Sequence, residues 1–173
     1  VVVTISTFSV GFSSALVGCE DIGIAFTDTS SGNNGTPNSW SWDFGDGGNS
    51  TSQNPTYAYP DPGTFTVKLI VGTDAGCLDS VSKVIVIDDQ PTAEAGPGQT
   101  KCGNNAITTM AGTSISVAST AIWTSGGTGT FNDATDLNAV YTPGLPADTL
   151  AGSVVLTLST TDNGNCPAGT DFM

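Results

Sequence analysis

The chain has 173 residues, of which 38% are hydrophobic and only 11% charged, and no stretch approaches the roughly 20 apolar residues of a membrane-spanning helix. Sixteen acids face three lysines (Lys68, Lys83, Lys101), for a formal charge of −13 without histidine or arginine. That balance excludes nucleic-acid binding and docking on anionic lipid, which need Lys and Arg, and it excludes Ser-His or Cys-His catalysis, which needs an imidazole.

The residue vocabulary of Thr, Ser, Val, Gly and Asn predicts strands joined by turns. Val1-Val2-Val3-Thr4-Ile5 opens as a strand, not as a charged leader before an apolar run. It is similar to Val84–Ile87, so residues 1–7 are read as the closing strand of a preceding module and its linker. A first complete module is placed at 8–88, with strands near Ile22–Asp28, Ser39–Phe44, Gly63–Val71 and Ser80–Ile87. Strands recurring about every ten residues suit a sandwich. Trp40, Trp42 and Phe44 alternate, and Trp42 with Phe44 is the expected core pair; Phe65, Val67, Leu69 and Val71 share a second face. Gly45-Asp46-Gly47-Gly48 reads as a turn that uses glycine at positive φ.

Pro91 cannot donate to a ladder, so pairing stops near Asp88–Thr92, and the short linker predicts a stiff joint. A second module is placed at 89–173, with strands near Ile107–Ala111, Ile115–Ala118, Ala121–Ser125, Ala139–Thr142 and Ser153–Thr161. Gly126-Gly127-Thr128-Gly129 is the turn matching that of the first module, and Val154, Leu156 and Leu158 are expected to face inward. No segment holds helical periodicity over 11 residues. The fold class is therefore all-β, two sandwiches in tandem.

An internal repeat of roughly 85 residues supports the division, a length that suits whole domains and not solenoid units. In both halves a glycine (Gly63, Gly152) starts a strand of alternating apolar residues, and a cysteine follows it by 14 positions. Each half also carries an early cysteine (Cys19, Cys102), a Trp strand (Trp42, Trp123) and a Tyr strand (Tyr57 and Tyr59, Tyr141). By this symmetry the expected disulfides are Cys19–Cys77 and Cys102–Cys166, each stabilising by roughly 4 kcal/mol in the loop-entropy model; four free thiols are the alternative. The second half ends where the first enters its closing strand, so module two is expected to lack its last strand. Either the segment belongs to a longer array, or a neighbouring chain's Val1–Ile5 supplies that strand.

Trp42-Asp43-Phe44-Gly45-Asp46-Gly47, Asn54-Pro55-Thr56-Tyr57-Ala58-Tyr59 and Pro62-Gly63-Thr64-Phe65-Thr66-Val67 together resemble the PKD (polycystic kidney disease) domain, over roughly residues 8–88. The departure from the family pattern is Phe65 where Tyr is common. Module two resembles a divergent PKD-like domain in which Trp123 and Tyr141 remain and Gly-Thr replaces the Asp-Gly turn. Its run Ala95–Cys102 is similar to the openings of repeats in very large surface adhesins of gliding bacteria. The resemblance implies an immunoglobulin-like sandwich with a structural role for Trp42, Asp43, Phe44, Gly45, Asp46, Gly47, Tyr59, Pro62 and Gly63. It implies a non-catalytic stalk or adhesion repeat of an extracellular, cell-surface protein. The partners expected are neighbouring modules of the array and surface polysaccharide or protein.

Other chemistry is sparse. Isolated cysteines do not suit zinc, and no phosphate loop is present. Asp88, Asp89 and Glu94 are candidate calcium ligands at the module boundary, with Asp162-Asn163-Gly164-Asn165 a second source of oxygens; solvated acids are the alternative. Asn49-Ser50-Thr51 matches an N-glycosylation sequon, and Ser80 and Thr149 sit in Asp-Ser-Val and Asp-Thr-Leu triplets that resemble an O-glycosylation motif. Two rival roles remain. An accessory module of a secreted hydrolase would need exposed aromatics, for which Trp40 with Tyr57 or Tyr59 are the candidates. A strand-exchanged filament subunit would use Val1–Ile5.

Overall fold

A computed structural model describes residues 8–32, 35–103 and 106–173. The chain forms two compact units, Val1–Asp89 and Gln90–Met173. The expected strand at Val1–Ile5 lies outside the described residues.

The first unit runs β1 (Phe8–Ser9), β2 (Phe12–Ser13), β3 (Val17–Cys19), β4 (Ile24–Ala25), β5 (Thr27–Asp28), β6 (Ser31–Gly32), β7 (Pro37–Asp43), β8 (Asn49–Ser50), β9 (Thr56–Tyr57), β10 (Gly63–Thr73) and β11 (Leu78–Asp88). One five-stranded sheet has the order β3-β11-β10-β7-β8, and the short pairs β1–β6, β2–β5 and β4–β9 supply the other layer. The β10–β11 hairpin sets the register, pairing Gly63 with Ile87 through Gly72 with Leu78. Period-two alternation sends Val67, Leu69 and Val71 of β10 and Ile85 and Ile87 of β11 into the core. There they meet Phe12 and Ile24 from the short pairs, Phe26 between β4 and β5, and Trp42, Phe44 and Tyr59. Each such aliphatic side chain is worth about 1.5–3 kcal/mol when fully buried.

Lys83 falls on an inward position of β11, opposite Val67. It is tolerated because its amine donates to the Phe12 carbonyl and lies 4.8 Å from the centroid of the Phe12 ring. The hydrocarbon stem packs while the charge finds an acceptor and a π face. Sequence alternation did not reveal β3, which pairs in parallel with the last residues of β11, Cys19 lying beside Asp88.

The second unit contains β12 (Thr92–Glu94), β13 (Thr108–Thr109), β14 (Ser114–Ser116), β15 (Ala121–Ser125), β16 (Thr130–Phe131), β17 (Val140–Thr142), a five-residue helix α1 (Ala147–Ala151), β18 (Leu156–Thr160) and β19 (Thr170–Phe172). The sheets are β15-β18-β19, β13-β17-β16 and the pair β12–β14. The core is built on Trp123, Met110, Tyr141, Leu156 and Leu158, with small Ala93, Ala95, Ala121 and Ala139 between them. One expectation is corrected. The strand expected from Ser153 begins only at Leu156, and the segment before it holds α1, too short to produce a periodic signal and closed by Gly152 at φ 80. Strand β19 pairs antiparallel with β18, Thr157 facing Phe172.

The two core tryptophans differ in one respect. Trp42 donates from Nε1 to the Ser52 carbonyl at 2.9 Å, whereas the buried Nε1 of Trp123 has no acceptor among the described residues. Replacing either indole with phenyl opens a similar void, but only Trp42→Phe also loses a hydrogen bond. Trp42→Phe should therefore cost about 1 kcal/mol more than Trp123→Phe. Urea midpoints of the two variants check this; equal losses would contradict it.

Candidate functional site

The Trp42–Gly48 segment is a hydrogen-bonded turn at the end of β7. Asp43 Oδ1 accepts from the Gly45 N–H at 2.9 Å, and Asp46 Oδ1 accepts from the Gly48 N–H at 2.9 Å. The second oxygen of Asp46 accepts from the Tyr57 hydroxyl at 2.7 Å. Gly45 is required twice over: its φ is +87, and a Cβ there would lie 2.7 Å from the Thr66 carbonyl oxygen. Below the turn, Tyr57 stacks on Phe44 with centroids 4.0 Å apart, and buried Tyr59 donates to the Phe44 carbonyl at 3.1 Å. Pro62 is exposed, and Gly63 opens β10.

Both carboxylates are thus used as turn acceptors. The phenols register the same charge. Tyr57 is pushed up to about 12, first by its hydrogen bond to Asp46 and then by burial and the charge of Asp46. Burial raises Tyr59 further, aided by the charge of Asp46. Raised folded-state values stabilise the fold below the ordinary phenol value near 10, and that stability is lost as pH rises through 10 towards 12. A phenolate absorbance titration of the folded protein should show Tyr57 ionising well above 10, and Asp46→Asn should return one phenol towards the ordinary value. An unchanged curve in that variant would refute the pairing.

Module two has no acid in its Gly126–Gly129 turn, yet a carboxylate arrives there from α1. Asp148 Oδ1 accepts from the Thr128 N–H at 2.7 Å and the Thr128 hydroxyl at 2.9 Å. Its Oδ2 accepts from Gly129 N–H at 3.1 Å, Tyr141 hydroxyl at 2.8 Å and Gly144 N–H at 2.9 Å. The Tyr141 hydroxyl in turn accepts from Ser125 Oγ at 2.9 Å. Five donors hold the Asp148 carboxyl far below the usual range, the Thr128 amide foremost, against the opposing effect of burial. Nothing in the sequence pattern marks Asp148 as structural; it stands there only as the first residue of the triplet around Thr149.

A depressed folded-state value means stability present above the ordinary carboxylate value and lost as pH falls below about 4. Asp148→Asn turns an NH2 towards at least two of the donors, so its melting temperature should fall at pH 7, with a flatter decline in acid than the parent chain shows. Parallel pH–melting curves for the two proteins would argue against the clamp.

Cys77 and Cys102 are free thiols, while Cys19 and Cys166 are disulfide-bonded residues. Neither expected pair, Cys19–Cys77 or Cys102–Cys166, is therefore formed, and topology explains why. Cys19 lies beside Asp88 at the end of β11, whereas Cys77 precedes Leu78 at its start. Those ends are roughly 30 Å apart in an extended strand, and a disulfide needs Cα atoms within about 7 Å. Cys102 is flanked by Lys101 and Gly103, which line a groove with Leu156 at one end of β18; Cys166 follows a turn beyond Thr160 at the other.

Asp88 ends β11, Asp89 is exposed and Glu94 ends β12. Among the described residues no group of three or more acidic or sulfur side chains is placed to hold a metal ion. Asn49 and Ser80 are exposed on β8 and β11, and exposed Thr149 donates to the Pro146 carbonyl at 2.8 Å. The carboxylate of its Asp148 neighbour is turned inward. The expected aromatic row does not form: Trp40 is half-buried and donates to Asp28 at 2.8 Å, Tyr57 is engaged as above, and Tyr59 is buried. The groove of about 370 Å³ in module two has Lys101, Ser153 and Met173 in its lining, and its polar floor, Tyr141 and Asp148, is already saturated.

Comparison with known proteins adds a family. A family model described as the PKD domain matches residues 15–87. The chain is 40% identical over 70 residues to the collagenase ColA of Bacillus cereus, covering 40% of this chain and 7% of that protein. It is 36% identical over 69 residues to the pre-pro-metalloprotease PrtV of Vibrio cholerae serotype O1, covering 40% of this chain and 8% of that protein. The solved PKD1 domain of that metalloprotease aligns at 31% identity and a TM-score of 0.38, over 48% of this chain and 94% of the domain.

Proposed function

Residues 15–87 form a PKD domain, and from that premise we propose that the chain is a non-catalytic accessory part of a larger extracellular protein, in which it serves as spacer or stalk. One observation carries this reading: in both modules the carboxylates and phenols at the turn, the groups most suited to chemistry, are consumed by hydrogen bonds that hold the turn shut. The chain matches only 7% and 8% of two relatives, a collagenase and a metalloprotease. This supports a role as one module among several. Disulfide-bonded Cys19 and Cys166 suit an oxidising compartment. Among the described residues no helix is long and apolar enough to cross a membrane.

The parent protein admits two readings. An adhesin would use such modules to hold a tip away from the cell. A secreted hydrolase would use them beside a catalytic domain, and the two named relatives favour that second setting. The spacer role is tested in the parent protein by exchange. Replacing residues 8–88 with an unrelated immunoglobulin-like module of equal length should preserve the parent's action at a surface, whereas a Gly/Ser linker of equal length should not. Loss of action with both replacements would show that this module itself binds the target. Turnover of casein, gelatin or a polysaccharide by the isolated chain would overturn the non-catalytic reading.

A further inference from the structure

In the β15-β18-β19 sheet, β15 pairs with β18 on one side alone. The register decides which backbone groups face its open edge. Ala121 lies opposite Thr160. The Thr161 N–H donates to the Thr120 carbonyl at 2.9 Å, and the Gly126 N–H to the Val155 carbonyl at 2.9 Å. Alternation of bonded and non-bonded pairs then turns Thr120, Ile122 and Thr124 towards β18, and Ala121 and Trp123 away from it. Trp123 does point away, its N–H donating to the Ala134 carbonyl at 2.8 Å. Ala121 points the same way, but neither its N–H nor its C=O has a partner among the described residues.

This unpaired stretch borders a hollow of about 500 Å³, whose apolar lining is Ile115, Ala121, Ile122 and Leu137. The hydroxyls around the hollow are bonded within the module. Ser119 donates to Asp162 at 2.6 Å, Thr120 and Thr161 bond each other at 2.8 Å, and Thr135 donates to Asp133 at 2.7 Å. Three acids flank these lining residues: Asp133, Asp136 beside Leu137, and Asp162 beside Thr161. Each uses one carboxylate oxygen locally and leaves the other without a partner among the described residues. The one lysine of module two, Lys101, lines the other groove. An unpaired strand edge, an apolar hollow and a rim of unmatched negative charge thus meet at one place.

We propose that the open edge of β15 at Ala121, with its hollow, docks an extended peptide segment that carries an apolar side chain flanked by lysine or arginine. The main chain of the segment bonds the Ala121 N–H and C=O, as in strand addition. Its apolar side chain enters among Ile115, Ile122 and Leu137, and its cations meet Asp133, Asp136 and Asp162. An acidic segment is repelled by the same carboxylates. The proposal goes beyond the spacer role and does not depend on it, because it concerns module two alone.

The test is fluorescence anisotropy of the intact chain with labelled peptides. A peptide alternating lysine with valine should bind, and the binding should weaken as salt rises from about 50 mM to about 500 mM. Peptides with glutamate in place of lysine, with serine in place of valine, or with N-methylated backbone amides should each bind at least about tenfold more weakly. Ile122→Lys should abolish binding; Ile122 is 38% exposed, so this variant should melt within a few degrees of the parent. Asp133→Asn with Asp162→Asn should weaken binding about fivefold. Removing two charges from module one, by Asp21→Asn with Asp61→Asn, should leave it unchanged. Equal weakening by the two double variants would reduce the effect to the net charge of the chain and overturn the proposal. So would equal binding of the N-methylated peptide, absence of binding by the lysine–valine peptide, or dimerisation in sedimentation that Ile122→Lys abolishes, which would assign the edge to a second copy.

Discussion

Both modules depend on a carboxylate that closes the turn beside the core tryptophan. The turn must leave its Trp strand, reverse, and bring a tyrosine against the core. The amides it exposes would be unsatisfied without an acceptor held at that spot. In module one Asp46 does this from inside the turn, joined by Tyr57. In module two Asp148 does it from α1, joined by Tyr141. The aromatic cluster of Phe44, Tyr57, Tyr59 and Phe65, stacked and edge-on in turn, packs beside that turn, and the functional reading follows from the turn itself: acids committed to holding backbone are not offered to substrate.

Much of the fold was legible because the strands obey strict alternation. Val67, Leu69 and Val71 declare their face at once, and Trp42 and Phe44 follow by the same period. The Gly-Asp-Gly-Gly turn declares its own chemistry. What stayed hidden was set by non-local pairing. The parallel strand Val17–Cys19 carries three residues and no pattern, yet it fixes Cys19 at the far end of β11 from Cys77. Symmetry between the halves suggested a pairing of cysteines that strand length forbids. The repeat expected from the sequence carries no information on the distance between the two ends of an eleven-residue strand. In the sequence, Trp40, Tyr57 and Tyr59 are the aromatics most suited to ligand contact, and folding engages or buries each of them.

Asp148 has one further consequence. The longest link of the clamp spans 11 residues in module one, from Asp46 to Tyr57, and 20 in module two, from Thr128 to Asp148. By chain statistics that change lowers the probability of ring closure only by roughly a factor of two to three. A sequence can therefore drift from a self-contained turn to one latched from a distant segment at small entropic cost. The latch of module two lies outside its turn, so no local signature in Gly126–Gly129 announces it.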